Sequence, residues 1–157
     1  MAMYNYKGIK EQENTGFELI PDCYAQAEIV KVEPRIAGTG TEYFNVQFKI
    51  TEGDHRGRVL FDILAFTERS AGLTKHKLNT IYYEVSPADD NDFGFKEPEA
   101  GQDWYETIPY QRWLKVVVGI RIGHDEYNGK EKNIVSEWVY RSEIDKKMEG
   151  NDDSIPF

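Results

Sequence analysis

The chain has 157 residues and a formal net charge of −9, and its single cysteine, Cys23, excludes an intramolecular disulfide or a multi-cysteine zinc site. This length predicts one domain with short appendages. No apolar run approaches the roughly 20 residues that a membrane-spanning helix needs. We therefore expect a soluble, intracellular protein, with no metal and no cofactor.

The acidic residues are concentrated in two segments. Residues 84–106 carry eight acids and one lysine, and residues 142–157 carry five acids and two lysines. Without these segments the chain has a net charge of +1, so it cannot present a wholly basic face. A nucleic-acid surface is then expected to be a local groove, in which base stacking contributes more than phosphate neutralisation.

The first part of the chain predicts an arm followed by a strand. Residues 1–18 are polar with interspersed aromatics and are interpreted as an arm laid over a domain that spans residues 19–141. Cys23–Glu33 predicts the first strand. Its apolar positions change parity near Ile29-Val30, which indicates a β-bulge.

The next two predicted strands are joined as a hairpin. Tyr43–Ile50 alternates with period two, which predicts a strand with one face in the core. Its inward side chains are those of Phe44, Val46, Phe48 and Ile50. A turn over residues 51–57 leads to the third strand, Arg58–Leu64, which carries Val59, Phe61 and Ile63.

A helix and a long insertion separate the third strand from the fourth. Thr67–Leu78 predicts a short helix with Thr67 as its N-cap, and Ile81–Val85 is compatible with an extra strand. The insertion covers about residues 81–111 and is both acidic and rich in aromatic residues. It is therefore too aromatic to be a pure linker.

Two further strands complete the predicted domain. Trp113–Ile122 predicts the fourth, with alternate aliphatic side chains in the core, and Lys132–Tyr140 predicts the fifth, with Trp138 and Tyr140 in the core. Three strands, a helix and two strands is the order of the OB-fold, a five-stranded Greek-key barrel that binds oligonucleotides. We therefore predict a mainly β OB-fold barrel with one short helix, an irregular insertion and a flexible acidic tail.

Residues 142–157 predict a disordered tail that ends in a peptide ligand. The tip combines acidic with apolar residues: Asp152, Asp153, Ile155, Pro156 and Phe157. Pro156 blocks a helix or a β-ladder, whereas Phe157 can fill an apolar pocket and the carboxylates can steer the tail to a basic surface. We interpret the segment as a partner-binding tip. The alternative is an accidental disordered end.

The tip and three short motifs resemble the OB-fold single-stranded-DNA-binding proteins of tailed bacteriophages. The motifs are Ile20-Pro21-Asp22-Cys23-Tyr24, then Phe48-Lys49-Ile50-Thr51-Glu52-Gly53 followed by Gly57-Arg58, and Tyr127-Asn128-Gly129-Lys130 followed by Asn133-Ile134-Val135. The resemblance implies a protein that coats intermediates of DNA replication, recombination and repair in the cytoplasm of an infected bacterium. It also implies that the tip recruits replication and recombination proteins.

Strand parity and loop position select the candidate residues for single-stranded DNA binding. Such binding needs aromatic faces for the bases and cations for the backbone, both on the solvent side of the barrel. The predicted set is Tyr43, Lys49, Arg56, Arg58, Trp113, Lys115, Arg121, Tyr127 and Lys130. The alternatives are ordinary solvated strands and turns and, for Trp113, cover by the insertion.

We expect a sequence-independent single-stranded-DNA-binding protein that is not an enzyme. The sequence has no phosphate-cradling glycine-rich loop, and its three histidines lack metal-ligand spacing. Two alternatives stay open: an OB-like protein-interaction module that docks on host replication proteins without binding DNA, and a nuclease that uses Asp22, Gln47 and Lys49. Self-association and the choice between DNA and RNA also stay open, because one barrel covers only about 4–16 nucleotides.

Overall fold

Five antiparallel strands form one open sheet in the computed structural model, which describes residues 19–87 and 93–153. The strands are β1 (Cys23–Ile36), β2 (Glu42–Ile50), β3 (Val59–Ala65), β4 (Val117–Tyr127) and β5 (Lys130–Val139). Helix α1 (Ala71–Tyr82) and a 3₁₀ turn (Tyr110–Trp113) lie between β3 and β4, and helix α2 (Arg141–Asp153) follows β5. The strands are arranged in the order β3-β2-β1-β4-β5. The described chain is therefore mainly β.

Strand β1 is the centre of the sheet and pairs with both β2 and β4. Ala27 lies opposite Ile50 on one side and Val118 on the other. The register with β2 shifts between Ile29 and Lys31, so the predicted bulge is confirmed. A bulge bends a strand and increases its twist, which allows this long strand to curve around the core.

The core lies on one face of the curved sheet. The predicted inward side chains of β2 are all buried, as are the alternate aliphatic side chains Val118, Ile120 and Ile122 of β4. Trp138 is buried as predicted, and its ring meets that of Phe48 edge-on, with centroids 4.9 Å apart. This aromatic contact joins β2 to β5 across the interior.

Side chains join the two outermost strands, β3 and β5. The indole Nε1 of Trp138 donates a hydrogen bond to Oδ2 of Asp62 over 2.6 Å. The same carboxylate lies 3.0 Å from Nζ of Lys77 on α1, which also donates to the carbonyl of Ile63 over 2.9 Å. Asp62 and Lys77 compensate one another's charge, so both can lie at the edge of the core.

Helix α1 begins and ends later in the chain than predicted. Its first residue is Ala71, and Thr67 belongs to the preceding turn, where its hydroxyl accepts a 3.1 Å hydrogen bond from the backbone N–H of Ser70. The helix continues through Ile81 to Tyr82. The extra strand considered at this position is therefore wrong.

The aromatic insertion packs onto the core. The rings of Trp104 and Tyr110 lie 4.9 and 5.0 Å from that of Phe44, measured between centroids, and Ile108 is buried. These contacts cover the end of the sheet where β2 begins. The insertion is thus part of the domain, which agrees with its composition.

Helix α2 occupies most of the segment that was expected to be a disordered tail. It packs against β1 and β4, and Ile144 is fully buried against Gly119. A Cβ at Gly119 would lie 2.7 Å from Cδ1 of Ile144, so only glycine leaves room for this contact. The structure corrects the prediction over residues 142–153, because one apolar side chain finds a matching gap in the sheet.

Three parts of the chain fall outside the described residues. They are the predicted arm at 1–18, the insertion residues 88–92 and the tip residues 154–157. Among the described residues, no helix is both long and apolar enough to cross a membrane.

Candidate nucleic-acid interface

The outer surface of β1, β2 and β3 carries a mixture of aromatic, aliphatic and cationic side chains. On β2 the outward residues alternate with the buried ones, and each has a cross-strand neighbour on β3. The outward pairs of the two strands are Tyr43 with Ala65, Asn45 with Ile63, Gln47 with Phe61, and Lys49 with Val59. We call the outward side chains of β2 and β3, together with those of the part of β1 that pairs with β2 from Glu28 onward, the outer face.

Strand β3 exposes its larger apolar side chains, and sequence reasoning missed this. Phe61 is 54% exposed, Ile63 45% and Val59 42%, while Leu60 and Leu64 are buried. The alternation of β3 does not show which face is inward, because the middle inward position, between Leu60 and Leu64, is the polar residue Asp62, which contacts Trp138 and Lys77. Phe61 is therefore an exposed ring in the middle of β3, the outermost strand of the outer face.

The cations of the outer face divide into paired and unpaired groups. On β1, Lys31 and Arg35 both contact the Glu33 carboxylate, over 2.6 and 2.7 Å. Hydrogen bonds from Lys31, and then from Arg35, lower the pKa of that carboxyl. In contrast, Lys49 and Arg56 have no ion-pair partner among residues 19–87 and 93–153. These two cations are available to bind an anion.

A groove of about 470 Å³ lies where the outer face meets the β2–β3 turn. Its lining residues are Glu28, Lys49, Ile50, Thr51, Arg56 and Gly57. Lys49 comes from the end of β2 and Arg56 from the turn, where a hydrogen bond from the N–H of Gly57 to the carbonyl of Ile50 closes the loop over 2.8 Å. The local fold thus brings two predicted DNA-binding residues to one groove.

The other predicted residues of this region lie at its borders. Tyr43 is half-buried at the opposite end of β2, and Arg58 is half-buried directly before β3. Four of the nine predicted binding residues therefore lie on the outer face or on the turn that borders it.

The structure corrects the prediction that Trp113 lies on the solvent side and binds DNA. It is 1% exposed, lies in the 3₁₀ turn before β4, and donates a 2.8 Å hydrogen bond from Nε1 to the hydroxyl of Tyr82. The strand begins only at Val117, because Lys115 has a left-handed backbone with φ of 71°. This break changes the parity of Trp113. Lys115 itself is exposed.

Arg121 lies on the β4 side of the sheet, away from the groove. It is exposed opposite Tyr24 of β1, with its Cζ atom 5.8 Å from the centre of that ring. Nζ of Lys147 on α2 lies 5.1 Å from the same ring. Helix α2 therefore borders Arg121 and separates it from the open outer face.

The β4–β5 hairpin holds the last two predicted residues. Asn128 and Gly129 both have positive φ, 53° and 78°, as a two-residue type I′ turn requires. Lys130 is exposed beside this turn, and the side chain of Tyr127 lies outside what is described.

The described residues contain no group of three or more histidine, cysteine, aspartate or glutamate side chains that could hold a metal ion. Asp22, the carboxylate of the nuclease alternative, lies before β1, with Oδ1 2.6 Å from Nδ1 of His124. Gln47 and Lys49 project from β2 on the outer face.

No protein-family model matches this sequence, and no curated protein matches it. The function is therefore inferred from the outer face itself. Exposed rings offer stacking surfaces, and unpaired cations offer phosphate contacts.

Proposed function

We propose that this chain is a sequence-independent single-stranded-DNA-binding protein built on an OB-fold barrel. The barrel is supported by the order of elements, with α1 between β3 and β4, and by the Trp138–Asp62 hydrogen bond that joins β3 to β5. OB-folds bind oligonucleotides on the face of their second and third strands. That face corresponds here to β2 and β3.

The observation that carries the proposal is the exposed ring of Phe61 beside unpaired cations. Phe61 is 54% exposed between two further exposed apolar side chains of β3, Val59 and Ile63, and such a patch is typical of a binding surface. A base can stack on the flat face of Phe61, while Lys49 and Arg56, which lie together near the β2–β3 turn, contact the adjoining backbone. Because stacking accepts all four bases, this arrangement supports binding with little dependence on sequence.

The charge of the outer face sets the expected salt dependence. Two unpaired cations correspond to few phosphate contacts, and each contact to a single strand contributes a slope of about 0.7 in log K against log salt. We therefore expect weak salt dependence, and an affinity that depends mainly on the aromatic side chains.

We further propose that the acidic tip recruits other proteins. Its members are Asp152, Asp153, Ile155, Pro156 and Phe157. Helix α2, which ends at Asp153, docks on the sheet through Ile144 and leaves the face of β2 and β3 open for DNA. The proposed setting is DNA replication and recombination in the cytoplasm of an infected bacterium.

Fluorescence anisotropy with a dye-labelled thymidine oligonucleotide of about 12 nucleotides, within the footprint of one barrel, tests the proposal. The titration is run at low ionic strength with and without magnesium, and the oligonucleotide is recovered afterwards for sizing. The proposal expects saturable binding and an intact oligonucleotide. Shortening with magnesium would favour the nuclease alternative, and absence of binding would contradict the proposal.

One observation favours the second candidate, a protein-interaction module. Tyr82 is 40% exposed, and its ring lies 5.3 Å from Phe93 and 6.3 Å from Phe95. These rings belong to the C-terminal end of α1 and to the acidic insertion that follows it, where carboxylates would repel phosphates. If the oligonucleotide does not bind, this cluster becomes the leading candidate surface.

A further inference from the structure

The groove beside the outer face contains a carboxylate as well as cations, and non-specific phosphate binding does not need it. Glu28 lies directly opposite Lys49 in the β1–β2 ladder and lines the groove with Arg56. No ion pair joins Glu28 to any of the described residues. A ligand that fills this groove must therefore satisfy a negative charge as well as two positive ones.

Among the residues that line the groove, Glu28, Lys49 and Arg56 are the polar side chains that remain available to a ligand. The hydroxyl of Thr51 already donates to the carbonyl of Gln26 over 3.1 Å. Gly57 has φ of +89°, and the space where a Cβ would stand is open. The volume of about 470 Å³ lies within the range of small-molecule sites, about 300–1,000 Å³.

Their hydrogen-bonding chemistry defines the ligand. Lysine and arginine only donate, and an ionised glutamate only accepts. A nucleotide brings an anionic phosphate for Lys49 and Arg56, but in DNA the donors for Glu28 must come from the edge of the base. Single-stranded bases are open to such contacts on their Watson–Crick edge.

Among the four bases, guanine fits a carboxylate best. Its N1–H and N2–H groups are adjacent donors that can contact both carboxylate oxygens. Thymine has one N–H between two carbonyl oxygens, which a carboxylate repels, while adenine and cytosine place a ring acceptor beside their amino group. Two parallel hydrogen bonds to an ionised carboxylate are stronger and more specific than a single hydrogen bond.

We propose that Glu28 makes this groove a subsite for one guanine base. The inference rests on the proposed function, and it adds a preference for guanine to otherwise sequence-independent stacking. Glu28 determines specificity, Lys49 and Arg56 hold the adjoining phosphate, and Phe61 stacks a neighbouring base.

Inosine tests the contribution of one amino group, because it is guanosine without the 2-amino group. Oligonucleotides of repeated TTG and TTI triplets, labelled with the same dye, are titrated into the wild-type chain at low ionic strength. Isolated guanines avoid four-stranded structures. We expect the TTG oligonucleotide to bind roughly five- to tenfold more tightly, the lower part of the range for a bidentate base contact.

The Glu28→Gln variant should lose most of this difference, because an amide has one acceptor oxygen and no charge. Glu99→Gln, which removes a charge from the exposed insertion, is the matched control and should keep it. Equal binding of TTG and TTI by the wild-type chain would overturn the guanine subsite while leaving DNA binding established. If neither these nor a thymidine oligonucleotide binds, the proposed function fails, and the subsite with it.

Discussion

The outer side of the sheet has a covered half and an open half. Over β1 and β4, helix α2 inserts Ile144 against Gly119 and brings Lys147 to the ring of Tyr24. Over β2 and β3, Phe61 and its aliphatic neighbours are exposed. Helix α2 therefore covers the outer side of the sheet over β1 and β4 and leaves the apolar surface over β2 and β3 uncovered. The open half is therefore the candidate for a ligand.

The largest expected effect is on the covered half. Ile144→Ala should lower the free energy of unfolding by about 2–4 kcal/mol, because it removes a buried side chain and leaves a cavity. Urea unfolding measures this loss, with the exposed residue of the same helix, Lys146→Ala, as the control. Unchanged stability would show that α2 does not depend on this contact.

Truncating an apolar side chain on the open half should weaken DNA binding without changing the free energy of unfolding. Phe61→Ala should cost about 1–3 kcal/mol in binding, roughly a five- to 150-fold rise in Kd. Its unfolding midpoint in urea should match that of the wild type. Leu73→Ala removes another exposed apolar side chain, on α1, and should bind the oligonucleotide normally. Equal affinities for the two variants would remove Phe61 from the interface.

Gly119 provides a second test of the contact between α2 and the covered half. Gly119→Ala should destabilise the domain by about 1–3 kcal/mol, as overpacking does. In the Ile144→Ala background the same substitution should cost much less, since the clashing atoms are gone. A double-mutant cycle measures this coupling, and strictly additive losses would contradict the contact.

Removing a cation from the open half should change the salt dependence of DNA binding and leave the fold intact. Lys49→Gln and Arg56→Gln should each lower the slope of log K against log salt by about 0.7, because each removes one phosphate contact. Arg121→Gln, on the α2 side, is the comparison and should leave the slope unchanged. An equal effect of Arg121→Gln would mean that DNA also crosses the covered half.

The smallest expected effect comes from releasing paired cations. Glu33→Gln frees Lys31 and Arg35 and should tighten DNA binding about twofold at low salt. Because the folded pKa of Glu33 is lowered, the pairing is present at neutral pH and is lost as the pH falls through that pKa. Anisotropy at several salt concentrations measures the change, and weaker binding would contradict it.

The sequence predicted the parts of the fold that follow a regular period. Strand β2 alternates without interruption, and the β1 bulge appears as a change of parity, so both were located correctly. Trp138 was assigned to the core for the same reason. These elements set the curvature of the sheet and the end of the groove that carries Lys49.

The remaining features depend on contacts between distant residues. Trp113 was assigned to the outside because the left-handed backbone at Lys115 is not visible in the sequence. Phe61 was missed because Asp62 takes an inward position through Trp138 and Lys77. Helix α2 depends on the fit of one isoleucine to one glycine, which no local pattern signals.

Photocrosslinking tests most directly whether the outer face holds DNA. An oligonucleotide that carries 5-bromodeoxyuridine is irradiated in complex with the wild-type chain, and the modified residues are found by mass spectrometry. We expect adducts at Phe61 or Tyr43. Adducts confined to Tyr24, Tyr82 or Phe93 would contradict the assignment of the open half as the DNA-binding surface.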